Sequence, residues 1–239
     1  MILQATLNGP STKADHPAVP VLAEELARDA RACAQAGAAE FHIHPRDEAG
    51  SERLDAATVE HCVRLVREAT GLPVGVTTGA WIEPDLPRRL DLVRAWRTPD
   101  YASVNLAEPG AIEMIRTLSQ VGIGVEAGIW TVADAELLAA SGVGDRVMRL
   151  MIEPVAVSPG DALTLVCSIH AVLDQAGLRP PRLQHGDGEA TWVLLEDAVR
   201  RGIDTRIGLE DTLRLPDGST AASNADLVHA ARAMGAGGA

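Results

Sequence analysis

The sequence has few cysteines, no long apolar run and no excess of basic residues. Three cysteines occur among its 239 residues, and Cys33, Cys62 and Cys167 show neither a CxxC motif nor a regular spacing. Because disulfides belong to oxidising compartments, we predict reduced, buried thiols in a cytoplasmic protein. No stretch approaches the roughly 18 apolar residues of a membrane span, so no membrane insertion is expected.

The charge balance excludes a further class of partner. The formal net charge of −12 argues against nucleic acid, whose phosphates require a basic surface. The N-terminal residues also lack the basic segment and long apolar run of a signal peptide. Small anionic ligands remain possible, since a divalent cation with arginines beside it makes a locally positive pocket.

Short apolar runs alternate with longer amphipathic segments along the whole chain. The amphipathic segments carry apolar residues at three- and four-residue spacing, and several end at a glycine that suits a helix C-terminal cap. Eight consecutive βα units predict parallel strands, and closure into a (β/α)8 TIM barrel leaves no exposed edge. The predicted strands lie near 2–8, 39–44, 73–77, 100–105, 123–128, 146–152, 182–185 and 204–209, and the helices near 21–36, 55–69, 84–96, 110–120, 132–141, 159–176, 189–201 and 222–234.

The chain shows no linker or low-complexity segment, and its length is close to the roughly 250 residues typical of such a barrel. We therefore predict a single domain over residues 1–239, with residues 235–239 as a frayed tail. The rival architecture is an open doubly wound sheet. That fold would need a glycine-rich phosphate fingerprint after its first strand, and the segment from Leu7 to Thr12 is not one.

Polar residues collect where the predicted strands end, which is where active sites of (β/α)8 barrels lie. Almost every strand contributes at least one such residue. The histidine His185 is expected either as a substrate contact or as a fourth metal neighbour, because the glycines after it let the backbone pass close to a ligand. The predicted substrate-binding residues are Thr78, Ser103, Asn105, Arg46, His185 and Glu126.

Two short motifs predict a metal site. Residues two apart on a strand point to the same face, so His42 and His44 project together. Arg206, Gly208 and Glu210 likewise share a face, and the glycine between the charged residues leaves room for a ligand. Strands 2 and 8 of a closed barrel are separated only by strand 1. His42, His44 and Glu210 can therefore supply the three ligands of a catalytic zinc site, although the same set also suits Fe(II), Mn(II) or Co(II).

A carboxylate and an arginine accompany these ligands. Asp211 beside Arg206 is expected to stay ionised at neutral pH, because an opposite charge at close range stabilises the anion. Such a carboxylate suits a general base. The alternative is a structural salt bridge at the barrel mouth.

The remaining histidines and the tryptophans carry less signal. His61, His170 and His229 fall on predicted helices and are expected at the surface. The four tryptophans are expected to pack at the barrel rim rather than to recognise a ligand.

The motif HxHxRD followed by RxGxED resembles the β-keto acid cleavage enzymes, the family named for 3-keto-5-aminohexanoate cleavage enzyme. The resemblance extends to the segments 7–9 (LNG), 36–38 (AGA) and 76–79 (VTTG). Each motif is short and weak by itself. Their order and their positions on successive strands make the joint signal strong.

The resemblance implies a zinc-dependent barrel that condenses a β-keto acid with an acyl-CoA, commonly acetyl-CoA, and releases acetoacetate and a new acyl-CoA by retro-Claisen cleavage. It implies a homotetramer as well. His42, His44 and Glu210 then resemble the zinc ligands. By the same resemblance Asp211 and Arg206 are the base and its partner, and Thr78 and Ser103 lie near the keto acid.

Two features depart from the family pattern. The first loop of the family typically carries a glutamate that suits an amino-bearing substrate, whereas the segment 9–11 (GPS) has none and Asp15 is the nearest replacement. The chain is also shorter than is usual in the family. Two alternatives therefore stay open: a CoA-independent aldolase or hydrolase that uses a metal, and a non-catalytic barrel that binds a metal or a small acid.

Overall fold

A computed structural model describes residues 1–155 and 157–238, in which strands and helices alternate from end to end. The strands are β1 (Leu3–Thr6), β2 (Glu40–Ile43), β3 (Val74–Thr77), β4 (Tyr101–Asn105), β5 (Gly124–Ile129), β6 (Arg149–Ile152), β7 (Arg182–Gln184) and β8 (Thr205–Ile207). The helices are α1 (Ala23–Ala36), α2 (Ala56–Thr70), α3 (Leu86–Arg94), α4 (Ala111–Val121), α5 (Val132–Ala140), α6 (Pro159–Gln175), α7 (Thr191–Arg201) and α8 (Asn224–Ala233). Single 3-10 turns precede β6 and α7.

The strands form one parallel sheet that closes on itself. Their order is β7-β6-β5-β4-β3-β2-β1-β8, and a bridge between Leu183 and Asp204 joins the two outer strands. Closure is reinforced by the Gln184 amide, which donates to the Asp204 carbonyl at 2.9 Å. The predicted (β/α)8 TIM barrel is therefore confirmed, and β1 lies between β2 and β8 as expected.

Local sequence signals explain where the helices begin and end. The Asp55 side chain accepts a hydrogen bond from the Thr58 amide at the start of α2, and Ser223 caps α8 in the same way through Asp226. At the end of α1, Gly37 has a φ of 111°, a left-handed conformation that other residues adopt only with strain. The borders of these helices in the structure thus follow from the capping residues, and they differ by up to two residues from the predicted ones.

The inner face of the barrel carries charge near the amino ends of the strands. Arg149 pairs with Glu126 at 2.6 Å and with Glu40, and Gln4 donates to the same two carboxylates at 3.0 Å each. All these side chains are buried. We call this set, which also includes Tyr101 and Asp204, the floor cluster.

Three expectations about individual residues are wrong. His170 is buried, because it packs between α6 and β7 with its Nε2 2.9 Å from Gln184 Oε1. Cys167 is exposed, unlike Cys33 and Cys62. The segment 235–238 does not fray, since Ala236 is buried and its carbonyl accepts from Arg232 at 2.9 Å, while residue 239 lies outside the described residues. Across the described part of the chain, the structure contains no helix with the length and apolar content to cross a membrane.

Candidate metal centre

Three side chains converge at the carboxyl end of the barrel: His42 on β2, His44 directly after it, and Glu210 in the loop after β8. Glu210 Oε1 lies 3.8 Å from His42 Nε2 and 3.7 Å from His44 Nε2. The three ligand atoms all lie within 4.8 Å of one another. A tetrahedral site with bonds of about 2.0–2.2 Å places its ligands roughly 3.4 Å apart. Small side-chain movements would therefore bring these residues onto one ion.

The motif at the end of β1 holds this arrangement in place. The Asn8 side chain makes two hydrogen bonds to the His44 backbone, one to the carbonyl and one from the amide, each 2.9 Å long. Gly9 packs against Glu210 so closely that a Cβ there would lie 2.5 Å from Glu210 Cγ. The LNG segment thus positions one ligand from each side of β1.

The chemistry of the donor set fits a divalent metal. Burial first of all, and then the nearby His44, Arg206 and His185, lowers the pKa of His42 well below its usual value. A neutral imidazole is the form that binds metals. Glu210 Oε2 is buried and has no hydrogen-bond partner within the described residues. Buried polar atoms normally have a hydrogen-bond partner. An oxygen that lacks one in the protein is suited to bind an external ligand such as a metal ion.

A buried arginine organises the carboxylates beside the candidate ligands. Arg206 Nη2 donates to Asp211 Oδ1 at 2.8 Å and to Glu210 Oε1 at 3.1 Å. The Thr6 hydroxyl donates to Asp211 Oδ2 at 2.7 Å. Burial opposes the charge of Arg206, but Asp211, Glu210 and Glu153 together raise its pKa. Both oxygens of Asp211 are consequently held in fixed directions.

His185 and Glu153 complete this arrangement, which we call the rim cluster (Arg206, Asp211, Glu210, Glu153 and His185). His185 is buried behind Asp211, with its Nδ1 3.6 Å from Asp211 Oδ1 and its Nε2 3.6 Å from Glu153 Oε2. Burial would raise the pKa of Glu153, but His185 and Arg206 bring it down to about 2. Glu153 is therefore an anion over the whole physiological range.

The candidate metal ligands and Asp211 line a cavity of about 240 Å³. Predicted contacts Ser103 and Asn105 lie on its wall, and the Asn105 amide donates to Glu108 at 2.8 Å. Trp81 and Trp130 line the cavity too, although packing alone was expected of them. The lining residues are Pro10, His42, His44, Thr77, Trp81, Ser103, Asn105, Trp130, Met151, Glu153, Val155, Asp187, Arg206, Glu210 and Asp211.

The structure places the other predicted substrate contacts elsewhere. The Thr78 hydroxyl donates to the Ser103 carbonyl at 2.7 Å and does not line the cavity. Its neighbour Thr77 points to the inside of the barrel from the end of β3 and lies on the cavity wall in its place. Arg46 points to the β1–α1 loop, where it donates to the carbonyls of Gly9 and Ser11. Glu126 belongs to the floor cluster, and His185 lies behind Asp211.

The glycine between Arg206 and Glu210 has a different role from the one expected. A Cβ on Gly208 would lie 1.8 Å from the Thr6 carbonyl oxygen. The missing side chain therefore makes room for the backbone of β1 and not for a ligand. The close approach of β1 and β8 is what brings Glu210 alongside the two histidines.

Sequence reasoning assigns no role in the site to Glu153, Glu52 or Trp81, although it places Glu153 at the carboxyl end of strand 6. Glu153 has a sequence signal, because it follows Met151 by two residues and so continues the inward-facing phase of β6. Glu52 contacts His44 from the loop after β2, at 2.6 Å. Side chains in a loop do not alternate between two faces as they do on a strand, so the sequence does not predict the position of Glu52.

The fold and the site define a (β/α)8 barrel with a two-histidine, one-carboxylate group that fits a divalent metal. The family model described as beta-keto acid cleavage enzyme matches residues 1–237. The chain therefore belongs to the family of β-keto acid cleavage enzymes.

Comparison with individual proteins agrees with this assignment. The chain is 33% identical over 94 residues to a 3-keto-5-aminohexanoate cleavage enzyme of Fusobacterium nucleatum subsp. nucleatum. This match covers 35% of this chain and 35% of the relative. It is 31% identical over 94 residues, or 35% of this chain and 34% of the relative, to the enzyme of the same name from Acetoanaerobium sticklandii. The matched region thus spans about a third of the length of these curated relatives.

Solved structures show the same fold. The ternary complex of ObcA with a C4-CoA adduct and oxalate superposes with a TM-score of 0.73 at 15% identity, over 91% of this chain and 63% of that one. A 3-dehydroquinate dehydratase from Geobacillus kaustophilus HTA426 has a TM-score of 0.64 at 12% identity, over 98% of this chain and 89% of that one. At such identities the similarity is one of fold alone.

Proposed function

We propose that this protein is a zinc-dependent enzyme that condenses a β-keto acid with acetyl-CoA and cleaves the product to acetoacetate and a new acyl-CoA. The observation that carries the proposal is the convergence of His42, His44 and Glu210 beside the fixed carboxylate of Asp211. All four side chains line one cavity. Membership of the β-keto acid cleavage family supports the reaction class.

His42, His44 and Glu210 would hold the ion, which supplies Lewis-acid stabilisation of the negative charge that develops on a ketone oxygen. Asp211 removes a proton from the carbon between the acid and ketone groups, and the carbanion attacks the thioester carbonyl and expels the CoA thiolate. The thiolate adds to the ketone carbonyl of the original acid. The bond between this carbonyl carbon and the carbon that lost the proton then breaks, which releases the new acyl-CoA. Asp211 returns its proton to the remaining carbanion, which becomes acetoacetate.

The protein contributes orientation to each of these steps. Arg206 and Thr6 each hold one oxygen of Asp211, so the lone pair that accepts the proton keeps one direction. A base held in hydrogen-bond geometry contributes about 10²–10⁴-fold to a proton transfer. Ser103 and Thr77 add hydroxyl groups to the cavity wall, where they are available to the oxygens of a keto acid.

The first loop supports a substrate without an amino group. Pro10 lines the cavity there. The Asp15 carboxylate instead accepts hydrogen bonds from the amide and hydroxyl of Thr12, both at 2.8 Å. It is thus used within its own loop, and we propose that the distal group of the keto acid is uncharged.

Turnover with a panel of β-keto acids tests the proposal. Zinc-loaded protein and acetyl-CoA should yield acetoacetate and a new acyl-CoA, both followed by mass spectrometry. Omission of the thioester should abolish the reaction, and turnover without it would favour an aldolase or hydrolase. Absence of turnover across a broad panel, with the metal bound, would contradict the proposed function. Metal analysis of purified protein tests zinc against iron, manganese and cobalt.

A further inference from the structure

Two side chains outside the ligand set contact His44. Glu52 Oε1 lies 2.6 Å from His44 Nδ1, and Glu52 Oε2 accepts a hydrogen bond from the Trp81 indole nitrogen at 3.1 Å. The Trp81 and His44 rings stack, with centroids 6.0 Å apart and an interplanar angle of 24°. One carboxylate therefore links a candidate ligand to the aromatic ring that covers it.

Both residues are held by their own loops. A backbone bridge between Arg46 and Glu52 ties the β2–α2 loop to itself, and the Arg53 amide donates to the Pro45 carbonyl at 2.8 Å. In the β3–α3 loop a Cβ on Gly79 would lie 2.4 Å from the Trp81 ring. Glycine at that position lets the indole fold back over His44.

The two histidines differ in this respect. His42 Nδ1 is buried without a hydrogen-bond partner among the described residues, whereas His44 Nδ1 faces a carboxylate. An imidazole that donates from Nδ1 carries its free lone pair on Nε2. The Nε2 of His44 is the atom that faces Glu210, at 3.7 Å. A carboxylate at His44 Nδ1 therefore favours the tautomer whose Nε2 lone pair is free to bind a metal.

We propose that Glu52 and Trp81 are positioning residues of the metal centre. Glu52 fixes the tautomer and ring orientation of His44, and Trp81 covers the outer side of the same ring, although 49% of its own surface is exposed. Together they determine how tightly the ion is held. This inference rests on the metal-binding part of the proposed function and is independent of the reaction.

Zinc affinity of the purified full chain tests the role of Glu52 without any substrate. Loss of such a partner typically costs about 10–100-fold in metal affinity, so the zinc dissociation constant of Glu52→Ala should rise by that factor in competition with a chromophoric chelator. Glu52→Gln keeps an acceptor in place and should recover part of the affinity. Glu83→Ala is the matched control, because Glu83 lies in the Trp81 loop but pairs with Arg88 at 2.9 Å.

Tryptophan emission tests the role of Trp81. Zinc binding next to a ring that stacks on a ligand should change the emission of the wild-type protein. The change should be much smaller in Trp81→Phe and should persist in Trp130→Phe, the control that removes the other tryptophan of the cavity wall. A change of full size in Trp81→Phe would overturn the assignment of Trp81, as would the absence of any change in a zinc-bound wild type.

Two results would overturn the assignment of Glu52. One is an unchanged zinc affinity in folded Glu52→Ala. The other is a loss of zinc affinity accompanied by a large fall in the melting temperature of the apoprotein, which would show that Glu52 supports the fold and not the metal centre in particular. A wild-type protein that binds zinc without turning over any keto acid would contradict the proposed reaction only, whereas one that binds no zinc would contradict both.

Discussion

The barrel contains two arginine-centred clusters, one at each end of its interior. Arg149 in the floor cluster and Arg206 in the rim cluster are equally buried, each with 3% exposure, and each pairs with more than one carboxylate. Both clusters also contain buried atoms that have no hydrogen-bond partner in the part of the chain that the structure describes, Glu126 Oε2 in the floor and Glu210 Oε2 at the rim. An unpaired buried carboxylate oxygen therefore does not by itself mark a functional site.

The clusters differ in what surrounds the carboxylates. In the floor cluster, Glu126 is fully buried, and Tyr101 and Gln4 fill the space beside Arg149. At the rim, two imidazoles face Glu210, and the carboxylates open onto the 240 Å³ cavity. The same arginine–carboxylate chemistry thus stabilises the fold at one end and leaves a ligand site at the other.

Removal of the proposed base at the rim should have the largest effect. Asp211→Asn keeps the shape of the side chain and loses the proton acceptor, so kcat should fall by about 10²–10⁴-fold. Zinc affinity should change little, since Asp211 is not one of the three candidate ligands, and the protein should still fold, since Arg206 keeps Glu210 and Glu153 as partners. Asp187→Asn, in the same cavity but exposed, serves as the control and should have a smaller effect. Loss of folding or of zinc in Asp211→Asn would instead reassign Asp211 to a structural role.

Removal of the cation from the floor should affect stability. Arg149→Met leaves Glu40 and Glu126 buried without their counter-ion, which should cost about 3–5 kcal/mol of unfolding free energy. Denaturant unfolding measures this cost, and Arg146→Met at an exposed position nearby is the control. A variant with unchanged stability and lost activity would remove the distinction between the two clusters.

Alternation along strands predicted much of the rim. The shared face of His42 and His44 and the adjacency of β2, β1 and β8 follow from period-two geometry and strand order. The same rule did not give the depth of Glu126 along β5. The structure begins and ends β5 one residue later than predicted, so that Gly128 and Trp130 lie above Glu126 on the inner face and Glu126 falls into the floor.

Contacts between distant parts of the chain determine the residue environments that the sequence does not predict. Gln4 and Arg149 reach the same carboxylates although they are far apart in sequence, and no local pattern indicates that they meet. The helical pattern alone predicts a surface position for His170, but its partners Gln184 and Arg182 come from β7. Single-residue environments of this kind depend on packing between elements, which periodicity does not specify.

Glu153 gives the rim cluster a contribution to stability that depends on pH. The pKa of Glu153 is about 2 in the folded protein, against an ordinary value of 4.5. Its contribution is therefore fully present above about pH 4.5 and is lost as the pH falls towards 2, by up to about 3 kcal/mol. Apo Glu153→Gln should be less stable than the wild type at pH 7 and converge with it in acid. Exposed Glu136→Gln is the control, and a constant difference between Glu153→Gln and wild type at all pH values would contradict the ionic role of Glu153.

Zinc itself should give the smallest effect and the most local one. A ligand that binds only the folded state stabilises it by about 2.7 kcal/mol at a free concentration 100 times its dissociation constant. Because His44 and Glu210 follow β2 and β8, amide exchange should slow first in the segments 40–44 and 205–211. The floor residues of β5 and β6 should gain protection only through global stability, since no ligand comes from those strands. Hydrogen-exchange mass spectrometry with and without zinc measures both regions, and equal protection at the floor and the rim under conditions of local opening would place the ion elsewhere.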